Sequence, residues 1–251
     1  MIIKNVKFTL FGDYKNIEAQ PEKAIKISSD LMLNGVTLLP GTFQQVSPRL
    51  GMKAFERMIF NNNQEKLSVE IGIDTIEISK MIVDNKIYNF KSEIDQFIYK
   101  VKKIIRVLTE SYSELISGRR ISLIIETLYG TEHIKPLDEI YKSINDRLPS
   151  YDDSETFEWN TRAAKRETFE ILGNEEKINL VTEVLRTSGE HTLTGETEEF
   201  DTIQARIDVN TVDENTRVRI EDKFVDEFLE KANKLMTSQD TALGVKLYAK
   251  D

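Results

Sequence analysis

The sequence predicts an α+β fold: a largely antiparallel sheet with two long amphipathic helices on one face, and two similar halves in outline. Three observations carry that expectation. Leu67, Val69, Ile71 and Ile73 alternate strictly with Ser68, Glu70, Gly72 and Asp74, and Ile203, Ala205, Ile207 and Val209 alternate in the same way. A period of two marks strands with one buried face. Ile94, Phe97, Ile98, Val101, Ile104, Ile105, Leu108, Tyr112, Leu115 and Ile116 recur at steps of three and four. That spacing gives a helix one apolar stripe. Ile220, Phe224, Val225, Phe228, Leu229, Ala232, Leu235 and Met236 make a second stripe of the same kind.

The elements follow in order. "IIKNVKFTLF" reads as a first strand. "QPEKAIKISSDLMLNG" reads as a helix with Pro21 in its first turn and Gly35 as its stop, although Ile25 and Ile27 also fit a strand. "VTLLPGTFQQVSPRLG" is turn-rich around Pro40, Gly41 and Pro48. From Phe55 to Met81 come two or three short strands: Met58 and Phe60 share a phase, "NNNQE" is a loop, and the phase changes at Asp74-Thr75. The long helix after it takes Ser92 as N-cap, Asp95 in the capping-box position and Gly118 as its stop. "RRISLIIETLYG" is apolar on both faces, the pattern of a central strand covered on two sides. Pro136 opens a short helix with Leu137, Ile140, Tyr141 and Ile144 inward. Residues 148–154, around Pro149, form the candidate subdomain junction within a single α+β domain spanning 1–251. "TFEWNTRAAKRETFEIL" and "KINLVTEVLRT" read as strands, and "GVKLYAKD" as an edge strand closing the chain. Each half is a meander followed by a long helix, with no visible identity between them.

A chain of 251 residues buries a sizeable core. Its net charge of -9 argues against a protein built mainly to neutralise phosphate, and suits solubility and basic protein partners. Cysteine is absent, so zinc-thiolate sites, disulfides and a cysteine nucleophile are excluded, and a cytoplasmic location is expected. The N-terminal "MIIKNVKFTLFGDYKN" lacks the pattern of a signal peptide, and no apolar segment approaches a membrane span.

The order of "RMIFNNNQEKLSVEIGIDTIEIS", "FKSEIDQFIYKVKKII", "RRISLIIETLYG", "PLDEIYKSINDRLP", "FDTIQARIDVNT" and "IEDKFVDEFLEKANKLM", from Arg57 to Met236, resembles a sporadically distributed bacterial family of conserved hypothetical proteins of about this length. One departure is plain: members often carry Tyr-Ile-Asn where this chain reads "IETLYG". The resemblance implies a shared α+β fold, inheritance typical of accessory genes, and a place in a mobile or anti-phage defence operon. It supplies no catalytic residues.

Candidate sites are few. "SGEHTLTGETEEFD", Ser188 to Asp201, gathers Glu190, Glu196, Glu198, Glu199 and Asp201 around His191. It lacks the spacing of a calcium loop, so it reads as an exposed acidic hairpin connection suited to touching a partner rather than holding a metal. His133, with Glu132 and Lys135, precedes the Pro136 helix, where an anion could bind, but a structural loop is the simpler account. Lys100, Lys103, Arg106, Arg119, Arg120, Arg162, Lys165 and Arg166 would make a basic groove if they converged, and a solvated surface if they did not. "YDDSETFE" is a second acidic stretch flanked by Tyr151 and Trp159, the latter in a strand-like, buried pattern. No Walker loop, GxGxxG, HExxH or GxSxG motif occurs.

The resulting expectation is a non-enzymatic interaction or regulatory subunit of a bacterial accessory complex, serving anti-phage defence or toxin neutralisation. It has a protein partner encoded nearby, no cofactor or metal, and no membrane partner. Two other readings stand beside it: a nucleic-acid binder using the basic residues, directly or through a partner, and a hydrolase or nuclease using His133 or His191 with nearby carboxylates.

Overall fold

In the computed structural model, residues 2–48, 51–81, 90–112, 116–129, 134–145, 156–193 and 196–248 are described. Among them lie nine strands and four helices, in the order β1 (Ile2–Phe11), α1 (Pro21–Leu33), β2 (Leu39–Ser47), β3 (Lys53–Asn62), β4 (Leu67–Ile71), β5 (Thr75–Met81), α2 (Phe90–Tyr112), β6 (Arg120–Tyr129), α3 (Leu137–Ile144), β7 (Asn160–Ile171), β8 (Asn174–Leu193), β9 (Glu196–Thr211) and α4 (Asp222–Leu247). The strands form one antiparallel sheet in the order β2-β3-β4-β5-β1-β6-β9-β8-β7. The mixed α+β class follows directly from the sequence periods.

Alternation decides which side is core. Val6, Phe8 and Leu10 of β1 are buried, as are Leu67, Val69 and Ile71 of β4, Ile76 and Ile78 of β5, and Ile203, Ala205, Ile207 and Val209 of β9. The registers Phe8↔Ile78, Val69↔Ile78 and Phe8↔Leu123 place these side chains on the same face of neighbouring strands. Helices α2 and α4 pack against each other, α2 on β1 and α4 on β6, β7 and β9. Lys102 pairs with Glu230 at 2.8 Å and the Asn233 amide donates to Asp95 at 2.6 Å along their seam. Strand β6 is buried on both faces near its middle, where Ser122 and Ile124 are covered as well as Leu123 and Ile125.

Helix α1 ends as its sequence demands. Gly35 takes φ +77°, its N–H donates to the Met32 carbonyl, and the Val36 N–H donates to the Leu31 carbonyl. These two bonds are the Schellman closure.

Four expectations need correction. The segment read as turn-rich contains β2, which is exposed at most of its positions and has no buried one, so its sequence lacks a strand's apolar period. Helix α2 begins at Phe90, so Ser92 lies inside its first turn rather than at its cap. "GVKLYAKD" is not an edge strand: Gly244–Leu247 finish α4, and Tyr248 makes only an isolated bridge to Ile134. The stretch from Ser188 is strand up to Leu193 and again from Glu196. The proposed junction at 148–154 lies outside the described residues.

One feature escaped the sequence reading. Arg57 on β3 is 0% exposed. Its guanidinium donates to the carbonyls of Tyr14 (2.7 Å), Gly72 (2.5 Å), Ile71 (3.1 Å) and Lys15 (3.4 Å). It thereby ties the loop after β1 to the β4–β5 turn. Burial pulls its pKa down from the usual arginine value.

Candidate interaction surface

Strands β8 and β9 outrun their neighbours. The pairing of β7 with β8 ends at Asn160↔Leu185, and that of β6 with β9 ends at Tyr129↔Ile203. Beyond those points β8 and β9 continue together from Thr187↔Thr202 to Leu193↔Glu196. At a strand rise of about 3.3 Å per residue, this two-stranded arm extends roughly 20 Å past the sheet.

The base of the arm is well held. Arg186 grips Asp201 through Nε (2.9 Å) and Nη2 (2.5 Å), and donates from Nη1 to the Thr156 carbonyl at 2.7 Å. The guanidinium holds the Asp201 carboxyl below the usual carboxylate range, chiefly through its hydrogen bonds. The Thr202 hydroxyl donates to the Tyr129 carbonyl on β6. Gly189 sits opposite Phe200, and a Cβ there would come within 3.1 Å of the ring. The aromatic ring thus occupies the space a side chain would fill.

Farther out, charge is of one sign. From Thr187 to Thr202 the chain carries Glu190, Glu196, Glu198, Glu199 and Asp201 and no Lys or Arg. Glu190 and Glu199 are exposed and directly opposite each other. Like charges in that position destabilise a ribbon. His191 stands opposite Glu198 in the backbone register, while the side chains of residues 191–198 lie outside the described set. Asp201 is already occupied by Arg186.

The basic residues are spread over α2, β6 and the residue before it, and β7. Lys100 of α2 pairs with Glu65 at 2.7 Å. Lys103 donates to the Asn34 carbonyl at 2.5 Å and lies over the Tyr99 ring, and Arg106 is exposed on the same helix. Arg119 is exposed just before β6, while Arg120 lies over the Phe11 ring and reaches Asn210 at 3.5 Å. Arg162 and Arg166 share the face of β7 opposite Glu183 and Asn179, and Arg166 pairs with Glu214 at 2.6 Å. Lys165 has the other phase, opposite Leu180, and pairs with Glu167 at 2.7 Å. Helix, sheet centre and sheet edge each hold a few of the eight.

His133 and most of "YDDSETFE" lie outside the described residues. Trp159 is buried, its ring 5.7 Å from that of Tyr141, so it belongs to the core and not to an exposed contact. A cavity of about 350 Å³ lies between the end of α2 and the start of α4, bounded by Thr109, Ser117, Arg219, Glu221 and Asp222. Arg219 in its lining is clamped by Glu176 at 2.5 and 2.9 Å. Among the described residues no group of three or more His, Asp or Glu is placed to hold a metal ion, and no helix is long and apolar enough to cross a membrane. Compared with known proteins, the chain matches no family model, no curated protein and no solved structure.

Proposed function

We propose that this protein works by binding a protein partner, with the acidic β8–β9 arm as its docking element. The observation that carries the reading is the arm itself: a two-stranded ribbon, acidic, free of Lys and Arg, and flanked by no third strand among the described residues. An isolated two-stranded ribbon is marginally stable in water, and opposed carboxylates weaken it further. A basic partner surface relieves both costs, by covering the ribbon and neutralising Glu190 and Glu199.

The strand order supports a plan of two similar halves, with the long helices α2 and α4 on one face. β2-β3-β4-β5-β1 runs from one edge to the middle, and β6-β9-β8-β7 runs from the middle to the other edge. On this plan β8–β9 corresponds to β4–β5. Those strands are joined by the short turn Gly72–Asp74, against the long arm of the second half. An element enlarged in one half alone is better explained by contact with something outside than by the needs of the core. The family resemblance adds the setting: a regulatory subunit of a bacterial accessory complex in the cytoplasm, acting in defence or toxin neutralisation.

Co-expression of the chain with the products of adjacent genes tests this. A neighbour should co-purify with the wild type and be lost from a Glu190→Lys, Glu199→Lys variant that keeps its circular dichroism spectrum. A chain that purifies alone, or a complex indifferent to the reversal, overturns the reading.

A further inference from the structure

We infer that the β2 edge of the sheet is the interface of a two-fold homodimer, in which β2 pairs antiparallel with β2 of a second copy and the two α1 helices pack across the axis.

Among the described residues the sheet is open, with β2 and β7 as its two edges. An edge strand presents unpaired N–H and C=O groups, and proteins that must stay single guard it with charge. Strand β7 is guarded: Arg162, Lys165, Arg166, Glu167 and Glu170 fall within its twelve residues. Strand β2, "LPGTFQQVS", holds no charged residue in nine. Pro40 is its one interruption, close to its start. A proline in a ladder turns its nitrogen to the open side, having no N–H to give. Thr42, Gln44 and Val46 share its parity, so their backbone groups face the open edge. Pairing centred on Gln44 sets Gln44 opposite Gln44 and Thr42 opposite Val46, and leaves Pro40 outside the ladder.

A second, independent feature lies beside this edge. Helix α1 packs against α2 on one side and β2 on the other, and the Ser28 hydroxyl donates to the Leu38 carbonyl at 2.5 Å. Its inward stripe is Ala24, Ile27, Ser28 and Leu31. Its outward residues include Ile25, Met32 and Leu33, which are 61%, 56% and 86% exposed. They recur at i, i+7 and i+8, the spacing of one helix face. An axis through the β2 edge brings this face against its own copy. An extended segment of another protein would occupy the edge and leave the α1 face in water. A second copy satisfies both, and a two-fold interface needs only one self-compatible patch.

Sedimentation of the full chain over a range of concentrations tests the inference. The wild type should dimerise. Gln44→Lys on the edge and Met32→Glu on α1 should each raise the dimer dissociation constant by about tenfold or more. Arg162→Glu on β7 should leave it unchanged. The chain has no cysteine, so Gln44→Cys gives a single-thiol reporter. It should form a disulfide-linked dimer under mild oxidation, because directly paired strand residues lie within disulfide reach. A wild type that is monomeric throughout overturns the inference and leaves the edge to a foreign strand. So does a dimer that resists both β2 and α1 variants, or one that the β7 variant dissociates.

Discussion

Two arginines, Arg57 and Arg186, fix two different regions of this molecule by opposite means. Arg57 is enclosed on β3, where its described hydrogen bonds all go to backbone carbonyls. Arg186 stands at the base of the arm and meets a carboxylate whose side chain is 42% exposed. The first bond set cannot readily be replaced by water, since the bonds to the Tyr14, Ile71 and Gly72 carbonyls are buried along with the guanidinium. The second can, since Asp201 already reaches solvent. The body is therefore locked by burial, and the arm is held by an ion pair that solution conditions can loosen.

The largest test of that contrast is Arg57→Met. It strands buried carbonyls and should lower stability by about 3 kcal/mol or more, read as a shift of the denaturant midpoint. Arg57→Lys should recover little, because an ammonium cannot reproduce the planar fork that spans two segments. If Arg57→Met unfolds at the wild-type midpoint, the staple is not structural and the comparison fails.

Arg186→Ala should cost less globally, about 1 kcal/mol, and show itself locally. Amide exchange across residues 187–202 should quicken while exchange in α2 and β1 stays slow. A uniform change over the whole chain would mean that the arm and body form one cooperative unit.

Acid should act on the same contact. The folded Asp201 carboxyl has a depressed pKa, so its stabilisation is fully present above the unfolded value of about 4 and is lost as pH falls through the folded value. Arm protection should fade in that acid window, and Asp201→Asn should abolish the dependence. Protection that instead fades as pH rises would contradict the assignment.

A smaller effect is expected at the β7–β8 hairpin. Leu172 and Gly173 take φ +50° and +75°, the two positive values of a type I′ turn. A leucine is strained there and an asparagine is at home. Leu172→Asn should raise stability by about 1 kcal/mol in thermal unfolding. A loss would show that the Leu172 side chain contributes packing that outweighs its backbone strain.

The smallest concerns Glu70 and Glu77, which face each other across β4 and β5. Burial, then the Glu77 charge, pushes the Glu70 carboxyl upward. An acid with a raised folded pKa costs stability above that value and not below the unfolded one. Glu70→Gln should therefore stabilise slightly at neutral pH, by about 0.5 kcal/mol or less, and flatten the acid side of the profile.

The legible parts of the fold were those whose burial has a period. The β4 and β9 strands and the stripes of α2 and α4 could be read because one face of each is covered, and β6 because its near-continuous apolar run marks a strand covered on both. Strand β2 could not, because it is exposed on most positions and carries Pro40 and Gly41. Arg57 could not, because charge ordinarily signals surface, and only three-dimensional closure supplies its carbonyls. The arm could not, because a two-stranded ribbon buries too little to print an alternation on its sequence. Its Gly, Thr and Glu residues resemble a loop. The end of α4 was missed at Gly244, a residue that usually stops helices and here lies within one. As for the site, the acidic residues were visible by composition. That they ride on a paired two-stranded arm was not.

The central position of β1 has a consequence for how the chain acquires its shape. Strand β1 is made first, yet its partners are β5, some seventy residues later, and β6, more than a hundred later. Strand β6 in turn waits for β9. Hairpins such as β7–β8 close over two residues, but the middle of the sheet closes only by long-range encounters, which are slow. During synthesis the apolar side of β1 thus precedes the strands that flank it and is among the last parts of the sheet to be covered. The polar partners of that alternation, Lys7 and Thr9, keep the other side of the waiting strand soluble.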